Sequence, residues 1–173
     1  MKLIFDTISR SVQRDTFDCG IESLNDFLKR YALQNLKKNL GVTIVAVSEE
    51  DRRKILGYYT ISMAQMSFEQ LPAALSKGIP RYPIPAMRIG RLAVDRSAQG
   101  RGVGGELLRD ALLRALDLSH KVGTCVVLVD AIDSNARTFY ERYGFVPLLD
   151  LPMSLALPIA TIEEAYKKGG LRS

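Results

Sequence analysis

The chain has 173 residues, of which 47% are apolar and 25% are charged, so residues 1–173 are predicted to form a single domain with its own core. No stretch approaches the roughly 20 apolar residues of a membrane helix, and the N-terminus lacks a signal-peptide pattern, which predicts a cytoplasmic protein. Two cysteines in unrelated contexts and one histidine argue against a disulfide framework and a metal site. The net charge of +5 favours an acidic ligand or a nucleic acid without requiring either.

The first predicted elements are a helix and a hairpin. Apolar residues recur at helical spacing from position 21 to position 40, and Asn39 and Gly41 end the pattern. Residues 42–47 and 55–63 are rich in β-branched and aromatic side chains, and a polar turn joins them. We therefore expect a long helix followed by a β-hairpin.

Residues 65–85 are predicted to form a long loop. Four prolines, at positions 72, 80, 83 and 85, remove backbone donors and restrict the residues before them, which leaves room for about one helical turn near 68–75. Loops of this length are commonly functional or disordered. Arg81 and Tyr82 favour a lid that faces the substrate, and a loop with no such role is the alternative.

The second half of the chain alternates strands and helices. A helix over 134–143, with Ser134 and Asn135 at its start as a cap, follows the buried strand that ends at Asp130. The predicted elements are, in chain order, a strand over 88–94, an amphipathic helix over 105–119, a strand over 124–130, the helix over 134–143, and edge-like strands over 145–149 and 152–158. Together these elements predict an α/β (α+β) protein with a mixed sheet flanked by helices.

A glycine-rich turn between a strand and a helix is the segment that best indicates chemistry. Residues 91–95 read Arg-Leu-Ala-Val-Asp, and residues 99–104 read Gln-Gly-Arg-Gly-Val-Gly. At such a turn the backbone approaches a ligand closely, and the amides at the helix start suit a pyrophosphate. Arg101 adds a full positive charge. A tight turn with glycines that serve only packing is the alternative.

Two better-known phosphate loops do not fit this segment. A Walker loop ends in Gly-Lys-Ser/Thr, whereas Gly104 is followed here by Gly105 and Glu106. A dinucleotide-binding fold has its glycines in a first βαβ unit, whereas this loop lies past the middle of the chain and after a predicted hairpin. A nucleotide triphosphatase and a dinucleotide-binding protein are therefore disfavoured.

The order of motifs resembles the GNAT acyl-CoA-dependent N-acyltransferases. A Leu-Ala-Val-Asp strand leads into a Q-x-x-G-x-G turn, and a second strand precedes the passage Asn135-Ala-Arg-Thr-Phe-Tyr-Glu-Arg-Tyr-Gly-Phe145. The resemblance covers roughly residues 17–165 and implies the GNAT fold, with acetyl-CoA as co-substrate and no metal. It assigns cofactor contacts to Leu92, Ala93 and Val94 for the pantetheine arm, to Gln99, Gly100, Arg101, Gly102, Val103 and Gly104 for the pyrophosphate, to Gly105, which with Glu106 completes the helix start, and to Asn135 near the amide arm.

Each of these roles has a structural alternative. Leu92 and Val94 can be core residues whose backbone alone meets the cofactor. Asn135 can serve the start of its helix instead of a ligand. The resemblance selects Tyr140 as the catalytic residue, because a phenol can protonate the departing thiolate. Packing is the alternative for Tyr140 and the favoured interpretation for Tyr143.

A general base is not evident in the sequence. The stretch from Arg88 to Arg91 has no acid or histidine, and His120 lies at a helix end, where a helix-terminal cation is the simpler interpretation. An α-amino group has a pKa of about 7.7–8.0, whereas a lysine amine has a pKa of about 10.4. The missing base therefore mildly favours an α-amino acceptor, although an acid from elsewhere in the fold remains open.

Within the superfamily, four passages resemble the GNAT toxins of toxin–antitoxin pairs. They are residues 17–20, 26–34, 83–95 and 139–145. This resemblance implies a toxin that acetylates the α-amino group of aminoacyl-tRNA, blocks translation and is neutralised by a ribbon-helix-helix antitoxin. A protein or small-molecule N-acetyltransferase and a non-catalytic acyl-CoA-binding module remain as alternatives.

Clusters of basic residues bear on the choice between these alternatives. They are Lys29-Arg30, Lys37-Lys38, Arg52-Arg53-Lys54, Lys167-Lys168 and the arginines at 81, 88 and 91. On one face they would follow an RNA backbone, and dispersed they would be ordinary solvated charge. A homodimer through the last strands is a further expectation.

Overall fold

A computed structural model describes residues 1–171 of the chain. The strands are β1 (Leu3–Thr7), β2 (Val42–Ser48), β3 (Ile55–Met66), β4 (Ile84–Val94), β5 (Val126–Asp130), β6 (Val146–Leu148) and β7 (Leu151–Pro158). The α-helices are α1 (Glu22–Asp26), α2 (Ala32–Lys37), α3 (Ala73–Ser76), α4 (Val103–Ser119), α5 (Ser134–Arg142) and α6 (Ile159–Lys167). The strands form one sheet in the order β1-β2-β3-β4-β5-β7-β6. Because β4 and β5 are parallel while β1 and β2 are antiparallel, the predicted mixed sheet is confirmed.

The chain divides into two compact units, and β3, β4 and α4 each contribute residues to both. Unit 1 contains Met1–Ser62 and Gly90–Ala111, and unit 2 contains Met63–Ile89 and Leu112 onward. Each unit has a hydrophobic cluster of its own.

The predicted hairpin of unit 1 is confirmed. β2 and β3 pair antiparallel from Val42 opposite Ile61 to Val47 opposite Ile55. The N-terminal strand β1, which the sequence analysis did not predict, pairs antiparallel with β2. β1 lies at the sheet edge, and its five residues are all at least partly exposed. They therefore lack the alternation of buried and exposed positions that reveals a strand.

The predicted first helix is confirmed in position but is not one regular helix. Between α1 and α2, Phe27–Tyr31 forms a π-helical segment. Hydrophobic spacing does not reveal such a segment, because the same side chains still reach one face. Phe27 and Leu28 pack into the cluster of unit 1 with Tyr58. Asn39, with φ of 56°, follows the helix where the sequence predicted its end.

In unit 2, β5 is an interior strand. It pairs in parallel with β4 from Ala86 to Ile89 and antiparallel with β7. β7 also pairs with β6, so the prediction that both last strands are edge strands is wrong for β7 and holds for β6. Pro152 and Pro158 lie near the two ends of β7, where a missing N–H interrupts few ladder bonds.

The proline-rich loop is shorter than predicted. β3 continues to Met66 and β4 begins at Ile84, so the irregular part is residues 67–83. It contains a 3₁₀ turn at Phe68–Gln70 and the short helix α3, which confirms the expected helical turn. Pro85 is the second residue of β4, where the missing N–H of a proline interrupts few ladder bonds, and its carbonyl still accepts a hydrogen bond from Cys125 N–H at 2.8 Å.

Two helices differ from the prediction. α4 begins at Val103, two residues earlier than expected, because the first turn is formed by residues of the glycine-rich segment. α6 was not predicted, since its nine residues bury only Ile159 and Ile162 and so give a weak pattern.

Three findings on residues 1–171 concern membrane helices, metal sites and cysteines. No helix among them is long and apolar enough to cross a bilayer. No group of three His, Cys, Asp or Glu side chains in this part of the chain is placed to hold a metal ion. Cys19 and Cys125 are both free thiols.

Candidate active site

The glycine-rich loop of unit 1 has an open side. Gly100 and Gly102 have φ of 74° and 80°, a conformation that favours glycine. A Cβ at either position would meet nothing within 4 Å. Glu106 N–H donates to Gly102 O at 3.2 Å, and the amides that precede it in the first turn of α4 have no acceptor within the helix. The loop therefore presents helix-terminal amides beside open space, a geometry that fits a pyrophosphate.

The side chain of Gln99 has a structural role in this loop. Its Nε2 donates to Cys19 O at 3.0 Å and to Val94 O at 2.9 Å. These bonds tie the loop to the end of β4 and to the segment before α1. The side chain is thus engaged within the protein, and the backbone of Gln99 is the part left for a ligand.

Asp95 is a second residue that holds the loop in place, and the sequence analysis did not assign it this role. Its buried carboxylate accepts hydrogen bonds from Asp18 N–H at 3.0 Å, Ser97 N–H at 2.9 Å and Ser97 Oγ–H at 2.6 Å. Burial alone would raise the pKa of Asp95, but the hydrogen bonds from Asp18 and Ser97 outweigh it and lower that pKa. The Asp-x-Ser sequence, typical of a capped turn, is the signal that could have revealed this role.

The motif at residues 17–20 belongs to the same network. Asp18 Oδ1 accepts from Gly20 N–H and from Asn25 Nδ2–H, both at 2.9 Å. Asp18 O accepts from Arg96 N–H at 2.8 Å, beside the loop. A short N-terminal motif is thereby joined to the loop about 80 residues later in the chain, and its place is to hold the loop in shape.

Gly57 of β3 lets helix α4 come close to the sheet. A Cβ at this position would lie 2.7 Å from Leu107 Cδ1 and 3.0 Å from Ala93 O. No larger residue fits without moving the helix. Gly57 therefore sets the distance between the sheet and α4, and with it the position of the loop that precedes the helix. An isolated glycine within a strand is the sequence signal for such a close approach.

The predicted pantetheine strand is the last part of β4. The parallel pairing of β4 with β5 ends at Ile89, while β4 continues to Val94. Ala93 is buried, and Leu92 and Val94 are half-buried, so side-chain packing and a backbone contact to a ligand are compatible. Val103 is buried in the core, so its side chain faces away from the open side of the loop.

Tyr140 lies on α5 in unit 2 and is only 4% exposed. Its ring packs edge-on against Phe139 and Phe145, with centroids 5.3 and 5.6 Å away. The other two buried tyrosines have partners: the Tyr58 hydroxyl donates to Leu24 O at 2.7 Å, and the Tyr59 hydroxyl donates to Asp110 at 2.6 Å. In the described part of the chain, the Tyr140 hydroxyl has no hydrogen-bond partner.

The environment of Tyr140 keeps its phenol protonated. Burial raises the pKa of Tyr140, and the negative charge of Asp130 raises it further. A protonated hydroxyl without a partner is the form that can donate to a developing thiolate.

The neighbours of Tyr140 on α5 are placed differently. Asn135 is exposed in the first turn. The cap predicted at Ser134 and Asn135 is wrong, because Asp133 caps the helix by accepting a hydrogen bond from Ala136 N–H at 2.8 Å. Asn135 is therefore not needed as a cap. Tyr143 is 44% exposed, and its ring contacts Phe139.

An acidic residue that the sequence analysis did not assign lies in the same unit. Asp130, at the end of β5, pairs with Arg88 and accepts a hydrogen bond from Ser154 Oγ at 2.9 Å. The three side chains line a cavity of about 180 Å³ together with Leu128 and other residues. A polar residue directly after a buried apolar strand is the signal that could have revealed it.

A second cavity, of about 330 Å³, lies in the proline-rich segment. Arg81 and Tyr82 line it, as does Phe68, whose ring lies 5.8 Å from the Arg81 guanidinium carbon. The interpretation that these residues face a ligand is thus compatible with their position.

The predicted site residues fall into two groups. Unit 1 brings together those of β4 and the loop, and unit 2 brings together Tyr140 and Asn135 on α5.

Comparisons with known proteins identify the family. Residues 39–147 match the family model described as acetyltransferase (GNAT) domain. The chain is 34% identical over 157 residues to a protein of Sinorhizobium fredii named "Probable toxin TacT", covering 86% of both chains. It is 35% identical over 130 residues to the "tRNA-acetylating toxin" of Mycobacterium tuberculosis, covering 75% of this chain and 76% of the other.

Two solved structures give the same result. One, AtaT complexed with acetyl-methionyl-tRNAfMet, has a TM-score of 0.88 and 31% identity and covers 95% of this chain and 99% of that chain. Another, an AtaT mutant toxin bound to acetyl-CoA and the C-terminus of the antitoxin AtaR, has a TM-score of 0.82 and 29% identity and covers 96% of this chain and 99% of that chain. A domain match over more than half of the chain, with relatives that match most of its length, shows that this protein belongs to the GNAT family of acetyltransferases.

Proposed function

We propose that this protein is a cytoplasmic toxin that transfers the acetyl group of acetyl-CoA to the α-amino group of aminoacyl-tRNA and so blocks translation. The observation that carries the chemistry is the buried Tyr140, whose hydroxyl has no partner in the described part of the chain. The relatives supply the acceptor, since one is named a tRNA-acetylating toxin and a similar structure contains acetyl-methionyl-tRNA.

In the proposed reaction, the glycine-rich loop and the end of β4 hold acetyl-CoA, and Tyr140 is the acid. The helix-terminal amides of residues 100–105 and Arg101 hold the pyrophosphate of acetyl-CoA, and the backbone of Leu92, Ala93 and Val94 pairs with the pantetheine arm. The acceptor amine attacks the thioester carbon, so that the new C–N bond forms and the C–S bond breaks. Tyr140 donates its proton to the departing thiolate and regains one from solvent, while the amine releases its proton to water.

The acceptor amine must be neutral to attack. An α-amino group is far less basic than a lysine amine, and its ester to tRNA makes it less basic still. It is therefore largely deprotonated at neutral pH without a dedicated base. This property fits a site whose assigned residues include an acid but no base.

The similarity to solved structures also supports a protein partner for this chain. A similar structure contains the C-terminus of an antitoxin, and we propose that a ribbon-helix-helix antitoxin neutralises this chain. A homodimer through the last strands is proposed as well, with β6 as the exposed edge.

The test is acetyl transfer to a mixed pool of aminoacylated tRNA. The protein is incubated with acetyl-CoA labelled in the acetyl group and with either aminoacylated or deacylated tRNA. We expect label on the aminoacylated pool alone, and release of labelled N-acetyl amino acid after the ester is hydrolysed.

Two results would contradict the proposal. Label on lysine side chains of added protein, with none on tRNA, would indicate a protein acetyltransferase. Acetyl-CoA binding without any transfer would indicate a non-catalytic module.

A further inference from the structure

The two cavities of unit 2 adjoin each other. Gln65, Met66 and Gln70 line both of them. The two cavities therefore lie side by side along these three residues, and together we call them the groove, with Arg81 and Tyr82 at its first end and Arg88 and Asp130 at its second end. Asp130 also acts electrostatically on Tyr140, so the second end is the one nearer the proposed acid.

The first end of the groove has the chemistry of a base-binding site. Tyr82 is 73% exposed, so its ring is available for stacking. Arg81 lies over the ring of Phe68, with its guanidinium carbon 5.8 Å from the ring centroid, and adds a second planar group to the same cavity. Bases without a pairing partner are commonly bound by stacking on aromatic rings and guanidinium planes.

Glu69 adds a directional acceptor to this end. Its carboxylate accepts a hydrogen bond from Ser67 Oγ at 2.6 Å and lines the same cavity. The hydrogen bond from Ser67 and the charge of Arg81 help to lower the pKa of Glu69, so the carboxylate stays ionised at neutral pH. An ionised carboxylate repels a phosphate but accepts a hydrogen bond from an exocyclic amine.

The first end of the groove fits a base, and the second end is nearer the proposed acid, which the acceptor amine must approach. We infer that the groove binds the 3′-terminal aminoacyl-adenosine of the acceptor, with adenine stacked on Tyr82, its exocyclic amine donating to Glu69, and the aminoacyl group directed to Asp130. This inference rests on the proposed function and adds the residues that recognise the terminal nucleoside. Every aminoacyl-tRNA ends in adenosine, so this site recognises the feature that the acceptors share.

The test uses two small acceptors that differ only at the exocyclic amine. Both are 3′-amino-3′-deoxyadenosine linked by an amide to the amino acid that the tRNA assay selects, and one carries two methyl groups on N6 of adenine. With acetyl-CoA at saturation, we expect the wild-type protein to show a kcat/KM about tenfold higher for the unmethylated acceptor, as for loss of a hydrogen bond to a charged group.

Variants assign the preference to the proposed residues. Glu69→Ala is expected to abolish the preference. Tyr82→Ala is expected to raise KM about tenfold for both acceptors, with kcat within about threefold of wild type, because base stacking is lost. Lys77→Ala is the control, since this exposed residue lies in the same loop but does not line the cavity. Circular dichroism confirms that each variant is folded.

The outcomes separate the inference from the proposed function. If aminoacyl-tRNA is acetylated but the two small acceptors are used equally, or are not used, the adenine site is overturned and the proposed function stands. Unchanged kinetics in Tyr82→Ala and Glu69→Ala overturn it as well. If the wild-type protein acetylates neither tRNA nor small acceptor, both ideas fail.

Discussion

Three tyrosines are buried among residues 1–171, and their hydroxyl groups differ in what they contact. Tyr58 and Tyr59 donate to acceptors within unit 1, whereas Tyr140 has none in the described part of the chain. Within residues 1–171, no side-chain oxygen or nitrogen that is shut off from solvent lacks a partner, so the Tyr140 hydroxyl retains some solvent access although its ring is buried. A hydroxyl that is accessible and free to donate fits the role that the resemblance gives to Tyr140.

Tyr140→Phe tests this role at the level of one atom. The ring and its packing are retained, so we expect a normal melting temperature and normal acetyl-CoA binding. Loss of the acid should lower kcat about 10²- to 10³-fold. Tyr143→Phe, which removes an exposed hydroxyl from the same helix, is the matched control and should keep its activity. Equal kcat in the two variants would contradict the assignment.

The raised pKa of two tyrosines predicts how stability depends on pH. Burial raises the pKa of both Tyr58 and Tyr140 above the unfolded value of about 10. The folded state therefore retains protons that the unfolded state loses, and stability is full below about pH 10 and falls as the pH rises further.

The measurement is denaturant unfolding between pH 8 and pH 11. Each buried tyrosine contributes a slope of up to about 1.4 kcal/mol per pH unit above its unfolded pKa. Tyr140→Phe should show a shallower fall than wild type, while Tyr143→Phe should follow the wild type. A stability that does not change from pH 9 to pH 11 would argue against the raised pKa values.

Residues of the site differ in how far they could be predicted. Tyr140 and the loop glycines lie in motifs that are contiguous in sequence. Asp130 lies outside these motifs, and Asp95 lies within one but also has a partner that the motif does not contain: Arg88 is 42 positions from Asp130, and Asp18 is 77 from Asp95. A single sequence does not give such pairs.

At the level of elements, the turn between β4 and α4 shows how a loop is held in a functional shape. Its glycines have left-handed conformations beside open space. The side chains of Gln99 and Asp95 tie it by hydrogen bonds to Cys19 and Asp18 of the segment before α1. Because these bonds use side chains, the backbone amides at the helix start are left for a ligand.

Gly102→Ala separates binding by the loop from its stability. A Cβ would meet no atom, so the cost is backbone strain alone, about 1–2 kcal/mol. We expect KM for acetyl-CoA to rise at least tenfold as the loop shifts, measured at saturating acceptor. Gly169→Ala is the matched control, with φ of 83° and no atom within 4 Å of a Cβ. It should lower the melting temperature similarly and leave KM unchanged.

Elements with a clear period were predicted, and those defined by pairing were not. The hairpin and α4 have strong apolar patterns, and both are confirmed. The interior position of β7 depends on its pairing with β5 and β6. Prolines in β7 indicate an edge in general, but here they lie near the strand ends and interrupt few bonds. The π-helical segment leaves the hydrophobic face intact and so has no signature in the pattern.

At the level of the whole molecule, the positive net charge is the property that bears on the acceptor. The chain carries 24 basic and 19 acidic residues. Several acids of the helices are paired with bases four positions away in the chain, as in Asp117 with Lys121 and Glu141 with Arg137. Other basic residues, such as Lys37 and Lys38, are exposed and are available for RNA phosphates.

Salt is therefore expected to act on the large acceptor and not on the small one. Raising the salt from about 50 to about 200 mM should increase KM for aminoacyl-tRNA at least tenfold, because phosphate contacts release counterions. KM for the aminoacyl-adenosine acceptor should change less than about twofold, since it carries no phosphate. Equal salt dependence of the two acceptors would mean that the basic surface does not bind tRNA.

The position of β7 has a consequence for how the protein is made. β7 is the last strand in the chain, yet it fills the place between β5 and β6. Until the ribosome has released residue 158, the edge of β5 is unpaired, and unpaired interior strands invite aggregation. A premature stop codon at any position up to residue 151 therefore removes β7 and is expected to abolish the activity. Nonsense changes that inactivate the protein should accordingly be found throughout residues 1–151, including the stretch after every residue of the candidate site.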